Sequence, residues 1–196
     1  MKKLQCIIYF LISSGVCFSQ QTTPGIFRAE KLKIDRTALK VLGAYSTANV
    51  IYGCIASGQT QGSAKYFHQM NAIWNGITLG IISVGYFTKK NNSDSTLGGI
   101  VRQQQLTEKL FLFNSGLDLA YIAGGAYMYE KSKRVTRKPE RLKGYGQSVM
   151  LQGAVLLLFD GIVYIIHNRH GKQLQKLLQK IELGATGNGV GVSVKL

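Results

Sequence analysis

Apolar residues are gathered into four long blocks, separated by polar or basic stretches. The blocks are 38–57 (ALKVLGAYSTANVIYGCIAS), 69–88 (QMNAIWNGITLGIISVGYFT), 110–129 (LFLFNSGLDLAYIAGGAYMY) and 147–167 (QSVMLQGAVLLLFDGIVYIIH). About 20 residues at 1.5 Å rise span a bilayer core of about 30 Å. A helix lying on a soluble core would carry a charged stripe at helical spacing. These blocks hold only Lys40, Asp118 and Asp160 as charges. Tyr66, Phe67, Tyr127, Tyr129 and Tyr145 cluster at block ends, where an aromatic belt meets the interface. The pattern predicts an all-α, four-helix transmembrane bundle over residues 38–168. A secreted soluble helical bundle is the competing architecture, because the mean hydropathy is only +0.05. Blocks one and three, rich in Gly, Ala, Ser and Asn, are marginal inserters.

Flanking segments complete the layout. Met1-Lys2-Lys3 precedes an apolar run at 4–16, then Cys17 and Ser19 before Gln20. That is the three-part form of a signal peptide over 1–19, with an uncleaved anchor helix as the alternative. Residues 20–37 read as a polar N-terminal segment. In 172–183, Leu174, Leu177, Leu178 and Ile181 share one face opposite Lys172, Lys176 and Lys180. This predicts an amphipathic helix on the membrane surface or capping the bundle. The tail, 184–196, alternates Val190, Val192 and Val194 among glycines and reads as flexible or a short strand.

Charge changes the picture next. With 24 Lys+Arg against 9 Asp+Glu, the net charge is +15, which favours a polyanionic partner. The bases are dispersed around the spans without a nucleic-acid-binding motif, so anionic membrane lipid is the expected partner rather than nucleic acid. The densest cluster is Lys131, Lys133, Arg134, Arg137, Lys138, Arg141 and Lys143. The positive-inside rule puts this loop in the cytoplasm, as does a cleaved signal with the mature N-terminus outside. The total tally of bases runs the other way. The expected location is the inner (cell) membrane of a bacterium, multi-pass. Cys6, Cys17 and Cys54 are the three cysteines, and cleavage leaves one, so no intramolecular disulfide is expected.

Polar residues inside the blocks are the candidate binding positions. Asn71 and Asn75 are i, i+4, with His68 one turn earlier. Asn114 and Asp118 are i, i+4, followed by Tyr121. Asp160, Tyr164 and His167 share a face of block four, while Asn49 and Gln152 lie within blocks one and four. A charged Asp at mid-membrane costs about 3 kcal/mol, so these groups should face inward and bond one another. Asp118 and Asp160 fall at similar depth, about 11–12 Å from the outer face, and would share a proton if adjacent. A hydrogen-bonded core fixing helix register is the plainer alternative. Small residues spaced by four (Ala44/Ala48, Gly53/Ser57, Gly76/Gly80, Gly116/Ala120/Gly124) predict close-packed helix seams. A faint internal echo superposes Asn49 on Asp118 and Tyr52 on Tyr121, as two related hairpins would.

No nucleophile triad, metal-ligand spacing or nucleotide loop is present, so no cofactor, metal or catalytic residue is expected. A membrane-embedded enzyme or cofactor/metal binder using Asp118, Asp160 and His68 is the alternative to a structural, interaction or small transporter-like role. The strings YFHQMNAIWN (66–75), LFNSGLDLAY (112–121), PERLKGYG (139–146), LQG with FD (151–160) and HNRH (167–170) are similar to an uncharacterised family of small bacterial membrane proteins, a domain of unknown function. The resemblance covers roughly 38–183. It implies a helical membrane protein with those polar positions in its core, and implies no activity.

Overall fold

A computed structural model of the chain describes residues 23–88, 96–179, 181–186 and 189–194. Four helices follow in order: α1 (Pro24–Gln59), α2 (Gly62–Thr88), α3 (Leu97–Ser132) and α4 (Pro139–Gln179). A two-stranded antiparallel hairpin closes the described chain, β1 (Ile181–Thr186) with β2 (Gly189–Val194), pairing Ile181 with Val194 through Thr186 with Gly189. The expected signal peptide at 1–19 lies outside the described residues.

Local signals set the helix ends. The Thr23 side chain accepts from the Ile26 N–H, with Pro24 in the first turn, and Thr96 accepts from the Gly99 N–H. Both are N-caps that satisfy donors a first helical turn leaves open. The turn from α1 to α2 passes through Gly62 at φ +60°, a conformation glycine adopts without the Cβ penalty.

The four apolar blocks all lie within helices, but the helices are longer. Residues 24–37 are the first turns of α1, not a separate polar segment. Residues 172–179 continue α4, so no separate amphipathic helix exists, and Ile181 already begins a strand. Apolar blocks mark only the most hydrophobic part of each helix, whereas backbone hydrogen bonding continues through polar sequence. Among the described residues, one helix, α4, is long and apolar enough to cross a membrane by length and composition. The Gly, Ser and Asn content of the other blocks lowers their hydropathy below that mark.

Packing joins two hairpins. α1 lies along α2 and α3 along α4; α2 against α4 unites them, and α1 meets α3 and α4 over a shorter stretch. Glycines let the backbones touch. A Cβ at Gly125 would sit 2.7 Å from the Gly146 carbonyl oxygen, and one at Gly153 2.9 Å from that of Asp118. Gly53 meets α2 in the same way, 2.8 Å from the His68 carbonyl. The expected seams are partly overturned. Gly53 packs as predicted, but Gly76, Gly80, Gly116 and Gly124 face open space. Four-residue spacing fixes a common face without saying which way it points.

Candidate functional site: a polar spine inside the bundle

The buried interior is mostly polar, and many large apolar side chains lie outside it. Among the described residues, thirteen buried side chains are polar or charged and six are apolar, while twenty-two large apolar side chains are exposed. The buried polar groups fall into three tiers along the bundle.

The first tier is a closed hydrogen-bond circuit through α1, α2 and α4. The Tyr45 hydroxyl donates to Gln152 Oε1 at 3.4 Å. Gln152 Nε2 donates to Asn71 Oδ1. Asn71 Nδ2 donates to Asn49 Oδ1 at 3.0 Å, and Asn49 Nδ2 returns to the Tyr45 carbonyl at 2.9 Å. Asn75 Nδ2 adds donations to the Asn71 carbonyl at 2.9 Å and to its Oδ1 at 3.3 Å. Asn71 therefore holds three helices in register. Burial without such partners would cost about 1–3 kcal/mol for each open group.

The second tier joins α3 to α4. Asn114 and Asp118 of α3 lie near enough to Asp160 of α4 to act on its carboxyl. Asp118 is buried, and its Oδ2 has no hydrogen-bond partner.

The third tier lies toward the helix ends that carry Pro24, Leu97 and Gln179. Asp35 Oδ2 pairs with Lys31 Nζ at 3.1 Å, and Asp35 Oδ1 lies 3.2 Å from His167 Nε2. His170 Nε2 lies 3.2 Å from Glu30 Oε2. Gln104 Nε2 donates to the His167 carbonyl at 2.7 Å and to Glu108 Oε1 at 2.8 Å. Phe27 stacks on His170 with centroids 4.0 Å apart, and Phe111 on His167 at 5.7 Å. Phe27, Ile100 and Leu174 close this end with an apolar plug, against which Leu97, Val101 and Leu178 pack. Burial holds the His170 imidazole below its ordinary range, partly opposed by the Glu30 carboxylate.

Of the sequence-predicted positions, Asn49, Asn71, Asn75 and Gln152 meet in the first tier. Asn114, Asp118 and Asp160 meet in the second, and His167 belongs to the third. His68 stands apart, edge-on to Tyr52 at 5.4 Å and Phe67 at 5.2 Å. Tyr121 is exposed and packs edge-on against Trp74 at 4.8 Å. Tyr164 is half-buried. The grouping of His68 with the two acids is therefore not formed: His68 lies two helical turns from Asn75, toward the α1–α2 turn, and its ring contacts are aromatic. Among the described residues, no group of three His, Cys, Asp or Glu side chains could hold a metal ion.

Tyr45, Ser46 and Ser148, and the third-tier residues Glu30, Lys31, Asp35, Gln104, Glu108 and His170, are interior or near-interior groups that the apolar blocks did not reveal. The i, i+4 spacings Lys31/Asp35 and Gln104/Glu108 were available in the sequence. Two surface hollows stand out, both at bundle ends. One of about 260 Å³ is lined by Tyr129, Ser132, Lys133 and Lys143, with Pro139 and Glu140. The other, about 130 Å³, lies beside Gln104, Glu108, Gly171 and Leu174.

A family model described as "Family of unknown function (DUF6992)" matches residues 41–161, and the chain belongs to that family. The match takes in every residue of the first two tiers, with Gln104 and Glu108 of the third, and leaves Glu30, Lys31, Asp35, His167 and His170 outside it. No curated protein and no solved structure matches the chain.

Proposed function

We propose that the chain is an integral membrane protein, inserted behind a cleaved signal peptide, whose polar spine locks four transmembrane helices into one register. Its role on this reading is structural or interaction-type rather than enzymatic. The observation that carries it is the inverted distribution of side chains. Ile81, Phe113 and Leu158 are exposed by 69%, 65% and 68%, while Asn75, Gln152 and His167 are exposed by 1%, 1% and 0%. Soluble monomers rarely leave contiguous apolar patches beyond a few hundred Å². In lipid the same surface is satisfied, and polar groups belong inside. The first tier is packed and mutually bonded, and both hollows lie away from it, which favours a register-fixing role over a passage.

The direct test is membrane extraction of the expressed full chain. Retention through an alkaline carbonate wash and release by detergent alone supports the reading; release by carbonate or salt overturns it.

One observation favours a small transporter-like role as a second reading: Asp118 is buried with an oxygen that lacks a partner, within electrostatic reach of the buried Asp160. Carboxyl groups buried inside a membrane bundle are the groups that proton relays use. Infrared spectroscopy of the reconstituted protein would then show a protonated-carboxyl C=O band that disappears in Asp118→Asn. An unchanged spectrum removes this reading.

A further inference from the structure

The helix ends that carry the α3–α4 turn combine four features: bases, aromatic rings, a hollow and an adjoining apolar wall. Residues 127–145 hold seven bases against two acids, Glu130 and Glu140. Three of the bases are seated on tyrosine rings. Lys131 Nζ lies 5.6 Å from the Tyr127 ring centroid, Lys133 Nζ 4.9 Å from Tyr129, and the Arg141 guanidinium 5.1 Å from Tyr145. Tyr145 in turn meets Tyr66 edge-on at 6.0 Å, so a girdle runs from α2 across α4 to α3. Such contacts hold cations at the depth where amphipathic rings sit in a bilayer, level with lipid headgroups. The larger hollow opens within this girdle. Its lining includes Lys133, Lys143, Tyr129 and Ser132, whose hydroxyl donates to the Tyr129 carbonyl at 2.6 Å; Glu130 balances Lys133 at 2.6 Å, and Glu140 lies on the wall near Gly62. Arg134, Arg137, Lys138 and Arg141 remain exposed around the rim. One helical turn or more farther in, Leu119 and Leu151 begin the exposed apolar surface.

We infer that this hollow seats the phosphate of an anionic glycerophospholipid, with Lys133 and Lys143 as its charge partners and the acyl chains lying on the exposed apolar wall of α3 and α4. The inference rests on the membrane reading above. Charge complementarity selects the occupant: a headgroup of net negative charge gains from every base at the rim, at roughly a fivefold affinity increment per base. A zwitterionic headgroup does not.

The test uses the full chain in nanodiscs of phosphatidylcholine containing a minor fraction of phosphatidylglycerol, with retained lipid identified by native mass spectrometry. Wild type should retain phosphatidylglycerol at least fivefold over its share of the disc. The Lys133→Ser/Lys143→Ser variant should lose that enrichment. Lys172→Ser/Lys176→Ser, at the opposite end, should keep it. Equal retention of both lipids, or equal loss in both variants, overturns the site. Displacement of the lipid by inorganic phosphate in the millimolar range also overturns it, since the hollow would then take phosphate without a lipid. A chain that stays in solution without entering the discs overturns the membrane reading and the site together, an outcome distinct from insertion without lipid preference.

Discussion

Asn71 is the residue on which most depends. It accepts from Gln152 and Asn75 and donates to Asn49, so its loss opens three bonds at once. Asn71→Ala should destabilise the folded bundle by about 1–2 kcal/mol, read as a lower unfolding midpoint in detergent micelles. The double variant Asn71→Leu/Gln152→Leu should lose less than the sum of its singles, because it leaves fewer polar groups unpaired. These positions were legible in the sequence as polar residues at i, i+4 within apolar blocks. Lys31, Asp35, Gln104 and His170 were not, because they lie beyond the blocks, where charged residues read as solvated ends. Their burial depends on how far four helices continue together, which hydropathy does not encode. Tyr121 illustrates the opposite miss. It shares spacing with Asn114 and Asp118, yet one step of helical rotation leaves its ring outside, against Trp74.

At the level of elements, the α3–α4 contact is set by facing glycines. Gly146→Leu should force these helices apart, because a Cβ there would lie 2.6 Å from the Gly125 carbonyl oxygen. Overpacking of this kind costs about 1–3 kcal/mol, while Gly76→Leu, whose site is open, should leave the unfolding midpoint nearly unchanged. The amino-terminal half of α1 is held differently, by Glu30 bonded to His170 on α4, with Asp35 close to His167. Burial lowers the His170 value below that of the unfolded chain. The neutral imidazole is therefore favoured in the folded state. Its contribution is fully present above the unfolded value near 6.5 and is lost as pH falls through the lower folded value. Lys31 and His167 also disfavour the charged form, and Glu30 opposes them. Amide protection factors in residues 24–37, corrected for intrinsic exchange, should fall on acidification below about pH 6, and His170→Gln should flatten that response. The elements themselves were the best-read level of the structure, since all four blocks fall inside helices. Their ends were misjudged because N-caps such as Thr23 and Thr96 lie in polar sequence far from any apolar run.

For the whole molecule, the proposed membrane reading puts the basic α3–α4 turn in the cytoplasm. A single cysteine introduced by Val135→Cys, with Cys54→Ser, should resist a membrane-impermeant thiol reagent added outside intact cells and react once they are opened. Reaction from outside would reverse the topology. The inward-polar arrangement was anticipated from the cost of two acids in lipid. The way it divides into three tiers came from packing, since no spacing rule says that α2 meets α4 while α1 and α3 lie farther apart. That same interior has a calorimetric consequence. Separating these helices exposes buried amides, carboxyls and imidazoles, and polar exposure lowers heat capacity where apolar exposure raises it. Thermal unfolding in micelles should therefore show a heat-capacity increment well below the roughly 12–15 cal/mol/K per residue of water-soluble domains, giving a nearly straight stability curve and no approach to denaturation in the cold.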